Sequence, residues 1–136
     1  MNIDRFKHHH VQILDGIDRL RALSRQGIAA RAVDIAAELK GLSRLVIQHL
    51  AVEDRILYPS LEPGDDPRMA RMGRAYREDM KGIAAGFIGF SRRWSDALAV
   101  RRNPEAFRTE ANEVLQRVHA RMVRENREFY PAIEAM

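Results

Sequence analysis

A histidine and a glutamate stand four residues apart in the stretch His49-Leu-Ala-Val-Glu53-Asp-Arg-Ile-Leu-Tyr-Pro59. Four residues are about one helical turn, so imidazole and carboxylate leave the same face about 6 Å apart along the axis. That face also carries Ile35, Leu39, Leu42, Val46 and Ile56, spaced by alternating fours and threes, and this pattern predicts that it is buried. Ionisable groups in an apolar stripe need partners there. A metal ion held by imidazole nitrogen and carboxylate oxygen is one way to supply them.

The chain of 136 residues suits one domain, 1–136, large enough to bury a core. It has no cysteine, which excludes disulfides, thiolate zinc sites, iron–sulfur clusters and cysteine nucleophiles. A bound metal must then use His, Asp, Glu or Tyr, a donor set suited to iron, manganese or zinc. No run is apolar enough to span a membrane and the N-terminus lacks a signal-like apolar segment, so the expected location is cytoplasmic. The formal charge of +4 comes from arginines scattered among acidic residues. Without clustering or interleaved aromatics it reads as a solvated surface, with no nucleic-acid partner expected. No Ser-His-Asp order, phosphate loop or dinucleotide fingerprint is present. Enzyme activity is therefore not the favoured reading, although an open iron or manganese position could reduce peroxide or oxygen.

Four long helices must position the pair. The first is predicted over 3–25, with Ile3, Phe6, His10, Ile13, Ile17, Leu20 and Ser24 on one stripe. Of the run His8, His9 and His10, only His10 lies on that stripe; His8, and with it His9, reads as surface. Gln26-Gly27 supplies a C-terminal stop. The second helix is predicted over 29–58 and ends within a turn of Pro59. A loop at 62–67 comes next, in which Asp66 can cap and Pro67 can start the third helix, over 67–94. The third stripe is Met69, Met72 or Gly73, Tyr76, Met80, Ile83, Phe87, Phe90 and Trp94, with Asp79 at its edge. Gly82, Gly86 and Gly89 would allow a neighbouring helix to approach closely. After a connector over 95–102, Asn103-Pro104 opens a fourth helix over 104–130. Its line is Phe107, Ala111, Val114, Val118, Arg121, Glu125 and Glu128, widened by Leu115, Met122 and Phe129, with His119 off it at the surface or boundary.

An internal repeat relates the two halves. Glu53-Asp-Arg-Ile-Leu-Tyr-Pro-Ser-Leu-Glu62 aligns with Glu125-Asn-Arg-Glu-Phe-Tyr-Pro-Ala-Ile-Glu134. Two helical hairpins related in this way make an all-α, antiparallel up-down-up-down four-helix bundle. Stacked so, the polar stripe positions fall at one end: His10, then His49 and Glu53, then Tyr76 and Asp79, then Arg121 and Glu125.

These features resemble the hemerythrin-like, or HHE cation-binding, family. The resemblance is carried by His10 with Ile13-Leu14, by His49 and Glu53 with Leu57-Tyr58-Pro59, and by Glu125 with Tyr130-Pro131, and it spans nearly the whole chain. It implies a non-haem iron centre of one or two ions inside the bundle, with a diatomic gas as partner and a role in sensing or handling iron, oxygen or nitric oxide. Manganese and zinc are alternatives. By residue matching, His10, His49, Glu53 and Glu125 take ligand positions.

Two departures from the family pattern bear on that role. The third helix has no histidine and offers Asp79 and Tyr76 instead. The histidine position four residues before Glu125 is Arg121, which is always protonated and cannot ligate a metal. Glu53, Asp79 and Glu125 bring three negative charges and Arg121 returns one, leaving a net of about minus two that one divalent ion would balance. The expected site is mononuclear, with His10, His49, Glu53 and Glu125 as ligands, Asp79 as a further candidate, and Arg121 and Tyr76 around them. The competing reading is a metal-free bundle, with a salt-bridge network around Arg121, that serves as a signalling or protein-interaction module. A protein partner and the oligomeric state are left open.

Overall fold

The computed structural model describes residues 2–62 and 66–136. Among these residues every regular element is helical, as the periodicity requires. Helix α1 covers Asp4–Arg25. Helix α2 covers Ala32–Val52, widens into a π-helical turn at Glu53–Leu57 and closes with a last α turn, Tyr58–Leu61. Helix α3 covers Pro67–Trp94, and a short α4 covers Ala97–Arg102. Helix α5 covers Pro104–Arg124, widens at Glu125–Phe129 and ends at Tyr130–Glu134. Neighbours touch in a closed ring, α1 with α2, α2 with α3, α3 with α5 and α5 with α1, which is the arrangement of a bundle with short connections. The connector over 95–102 has folded into α4, which covers one end of α2.

The helix boundaries have local causes. Gly27 takes φ +111°, a left-handed conformation that ends α1, and the Gln26 and Gly27 amides donate to Leu23 O and Ser24 O at 3.1 Å. The second helix starts three residues later than the pattern suggested, because residues 29–31 form a turn before it. Asp66 accepts from the Arg68 amide at 2.9 Å with Pro67 in the first helical turn, as expected. Pro63, Gly64 and Asp65 of the expected loop lie outside the described residues.

Both π turns immediately precede a Tyr-Pro pair. A proline removes one amide donor and crowds the carbonyl a turn earlier, so the α ladder must break there. It breaks by widening, and the Tyr58 and Tyr130 amides reach back to Glu53 O and Glu125 O. The extra residue rotates the next turn of the helix. Leu57, Tyr58 and Leu61 turn inward, while Ile56 is 53% exposed. In the repeat Phe129, Tyr130 and Ile133 turn inward and Glu128 faces out. Placing Ile56 and Glu128 on the buried stripes assumed an unbroken 3.6-residue period, and the widened turns correct both expectations.

The glycine expectation also changes. Gly82 and Gly86 face open space, and Gly89 meets only its own helix's Arg93. Close approach is needed instead at Gly16, against Leu42, and at Gly73, against Leu61. The other stripes are buried as expected apart from Ser24, Ile83 and Val114, which are half-buried, and they form two apolar clusters. One runs from Ile13, Val46, Met80 and Val118 to the α4 end. The other gathers Ile3, Phe6, Leu57, Tyr76, Phe129 and Tyr130. A polar layer of His10, His49, Glu53, Arg121 and Glu125, each 3% exposed or less, lies where the four long helices pass from one cluster to the other.

Candidate metal centre

His10 on α1 and His49 on α2 bring their Nε2 atoms to 3.0 Å. Glu125 Oε1 lies 3.1 Å from His10 Nε2, and Glu53 Oε1 lies 3.0 Å from His49 Nε2. Among the described residues, the donor atoms of His10, His49 and Glu125 converge within 4.8 Å of one another. Glu53 joins them through His49. Donors at right angles around one cation about 2.1 Å away lie about 3.0 Å apart, which is the spacing seen here.

Hydrogen bonding within the protein does not account for this packing. Glu53 Oε1 and both Glu125 carboxylate oxygens are buried without a well-directed hydrogen-bond donor, despite imidazole nitrogens 3.0–3.1 Å away. The carboxylate oxygens and the imidazole nitrogens beside them are not aimed at each other, whereas His10 Nε2 and His49 Nε2 face each other at 3.0 Å within hydrogen-bond geometry. His10 Nδ1 lies 2.8 Å from Asn126 Oδ1, an amide oxygen that can only accept, so the ring hydrogen sits on Nδ1 and a neutral His10 presents a bare Nε2. Buried acceptors that no donor reaches are costly unless a cation satisfies them, and Tyr130 can donate to only one of its two neighbours here. The residues present therefore fit a bound metal ion.

Burial sets the electrostatics. It raises the Glu125 carboxyl to about 7, with Glu53 adding to the effect and His10 opposing it. It also raises Glu53, against contributions from Glu125, His10 and Tyr130. His49 is lowered to about 3 by burial and by His10, so its imidazole is neutral. The neutral His49 imidazole beside carboxylates that resist ionising alone makes a site in which a cation replaces protons.

Arg121 occupies the repeat position equivalent to His49, four residues before the buried glutamate. Its guanidinium, 1% exposed, lies 4.4 Å from the Tyr76 ring centre and donates to Tyr76 O at 2.5 Å and to Asp79 Oδ2 at 2.8 Å. Its Nε stays 3.9 Å from Glu125 Oε2. Asp79, whose side chain is 58% exposed, thus meets Arg121 at the rim instead of the imidazoles. Tyr76 contributes its ring face and carbonyl to Arg121.

Three contacts escaped the sequence pattern. Tyr130 OH lies 2.9 Å from His10 Nε2 and 3.2 Å from Glu53 Oε2, and burial raises its phenol strongly. Asn126 holds His10 through its amide oxygen. His9, read as surface, is half-buried with Nδ1 3.2 Å from His49 Nδ1, and burial lowers its pKa. The repeated Tyr-Pro marked Tyr130, but its inward direction depends on the π turn. His8 is exposed, as expected, and His119 is at the boundary.

The family model described as the hemerythrin HHE cation binding domain matches residues 1–133 of the 136. No curated protein and no solved structure matches the chain significantly.

Proposed function

Because the chain belongs to the hemerythrin HHE cation-binding family, whose domain binds metal ions, we propose that its polar layer holds one metal ion, non-haem iron before manganese or zinc, on His10, His49, Glu53 and Glu125. The observation that carries this reading is the convergence of the His10, His49 and Glu125 donor atoms, with Glu53 3.0 Å from His49, around three buried carboxylate oxygens that have no hydrogen-bond donor. Arg121 takes the place of a second cation, with Asp79 neutralising it from outside. An iron ion with an open position would supply redox chemistry and affinity for a diatomic gas. The protein residues do the rest. Asn126 keeps the His10 lone pair turned inward, Tyr130 offers a phenol hydrogen beside His10 and Glu53, and the two apolar clusters exclude water. With Arg121 at a histidine position of the family pattern and no histidine on the third helix, the function is sensing or handling of iron, oxygen or nitric oxide rather than oxygen carriage. No described helix is long and apolar enough to cross a membrane, and we place the protein in the cytoplasm.

A second reading has its own support. Asp79 and the Tyr76 carbonyl hold the Arg121 guanidinium without metal, as expected of a metal-free bundle acting in signalling or protein interaction. Elemental analysis of untagged protein, produced with iron, manganese and zinc available, separates the two. The proposed site gives about one ion per chain, lost in the double variant His49→Ala/Glu53→Ala. A folded wild-type protein with no metal in any medium overturns it in favour of the second reading.

A further inference from the structure

We propose that His9 is a positioning residue for the metal site: by accepting a hydrogen bond from His49 Nδ1 it holds the tautomer whose Nε2 lone pair faces the cluster. The inference rests on the metal-site reading and extends it to a residue outside the ligand set. The Nδ1 atoms of His9 and His49 are 3.2 Å apart, and the rings meet edge to face at 80°. Phe6 packs edge-on against the His49 ring as well, with centroids 6.2 Å apart. Two nitrogens of the same kind facing each other need one hydrogen between them, and a neutral imidazole carries only one.

Only two arrangements satisfy that contact. In one, His9 donates, and the His49 hydrogen is left on Nε2, where the bare His10 Nε2 3.0 Å away accepts it and the two imidazoles bond to each other instead of to an ion. In the other, His49 Nδ1 donates to His9, and Nε2 is bare. An ion in the cluster is compatible only with the second. His10 has no such choice, because the Asn126 amide oxygen can only accept. One imidazole is therefore locked in the ligating tautomer, and the other is set by a half-buried histidine that can serve as donor or acceptor. Partners on the far nitrogen of a ligating histidine orient the ring and raise its basicity, and their loss lowers metal affinity about 10–100-fold.

The test uses the full chain with zinc(II) as a diamagnetic probe. Nitrogen NMR of the zinc-loaded wild type should place the His49 hydrogen on Nδ1. Chelator competition should show His9→Phe, which keeps a flat ring but has no acceptor, weaker by about 10–100-fold. His9→Asn, whose amide oxygen can take the Nδ1 position, should recover most of that loss. Thermal midpoints of the metal-free variants should stay near the wild type, which separates positioning from a general loss of stability. Equal zinc affinity in His9→Phe, or a bare Nδ1 on His49 in the loaded wild type, overturns this inference and leaves the metal site standing. A wild type that binds no zinc removes the metal site and this inference together. If the Phe variant does not fold, the nitrogen–nitrogen coupling across the hydrogen bond between His49 Nδ1 and His9 Nδ1 in the loaded wild type decides the matter: its presence supports the inference and its absence overturns it.

Discussion

Replacing Arg121 by histidine separates a one-ion site from a two-ion site. Arg121 stands where the repeat would place a second His49, and its neighbours set the cost of removing it. The Tyr76 carbonyl, which keeps its helical donor within α3, loses a 2.5 Å hydrogen bond from a charged group, worth about 1.5–3 kcal/mol. Glu125 loses a cation 3.9 Å away, a gross attraction of about 4 kcal/mol at an effective dielectric of 20. Most of that is not realised, because a carboxyl already raised to about 7 can take up a proton near neutral pH. Asp79, 58% exposed, returns to water at little cost. The metal-free variant should therefore be less stable by about 1.5–3 kcal/mol, roughly 3–10 °C in midpoint for a chain of this length. Histidine at this position restores a nitrogen donor four residues before Glu125. With zinc(II) or iron(II) in excess, elemental analysis after gel filtration should rise from about one ion per chain to about two. An ion at a hundred times its Kd adds about 2.7 kcal/mol, so calorimetry with metal should recover the lost midpoint. A folded variant whose stoichiometry does not change refutes the argument that Arg121 replaces a second cation.

Two other predictions concern pH and register. The folded-state pKa of Glu125 is raised from 4.5 to about 7, so in metal-free protein its proton contributes stability that is fully present below 4.5 and lost as pH rises to 7. Glu125→Gln removes that decline, so urea melts with chelator should show the variant gaining on the wild type by about 1.4 kcal/mol per pH unit across this window; parallel profiles would show that Glu125 ionises normally. Pro59→Ala restores an amide donor, yet burial of Leu57, Tyr58 and Leu61 holds the widened turn. Burying each such side chain is worth about 1.5–3 kcal/mol, so the midpoint and metal content should stay close to the wild type, and loss of metal would show that the proline alone sets the register.

Sequence periodicity was enough to reach four long helices, their buried stripes and the shared level of the polar positions, and the family resemblance singled out His10, His49, Glu53 and Glu125 among them. A 3.6-residue repeat reports which face an element buries, and two hairpins with a common Glu-to-Tyr-Pro ending leave few ways to stack. The same rule misplaced Ile56 and Glu128, because it counts residues at a constant angle and the π turn adds one. It placed Asp79 near the site by height along the bundle, but height does not say which partner a side chain reaches. Arg121, longer and already charged, takes it at the rim.

Tertiary structure alone decided which atoms face each other. That His49 turns Nε2 to the cluster and Nδ1 to His9, that Asn126 accepts from His10, and that Tyr130 reaches both His10 and Glu53 are consequences of helix rotation and packing between segments about 40 to 120 residues apart. No local spacing encodes those contacts, since each depends on the relative phase of helices that meet only when the core closes. The residue types and the faces they occupy were written in the chain, whereas which atoms face each other was set by the fold.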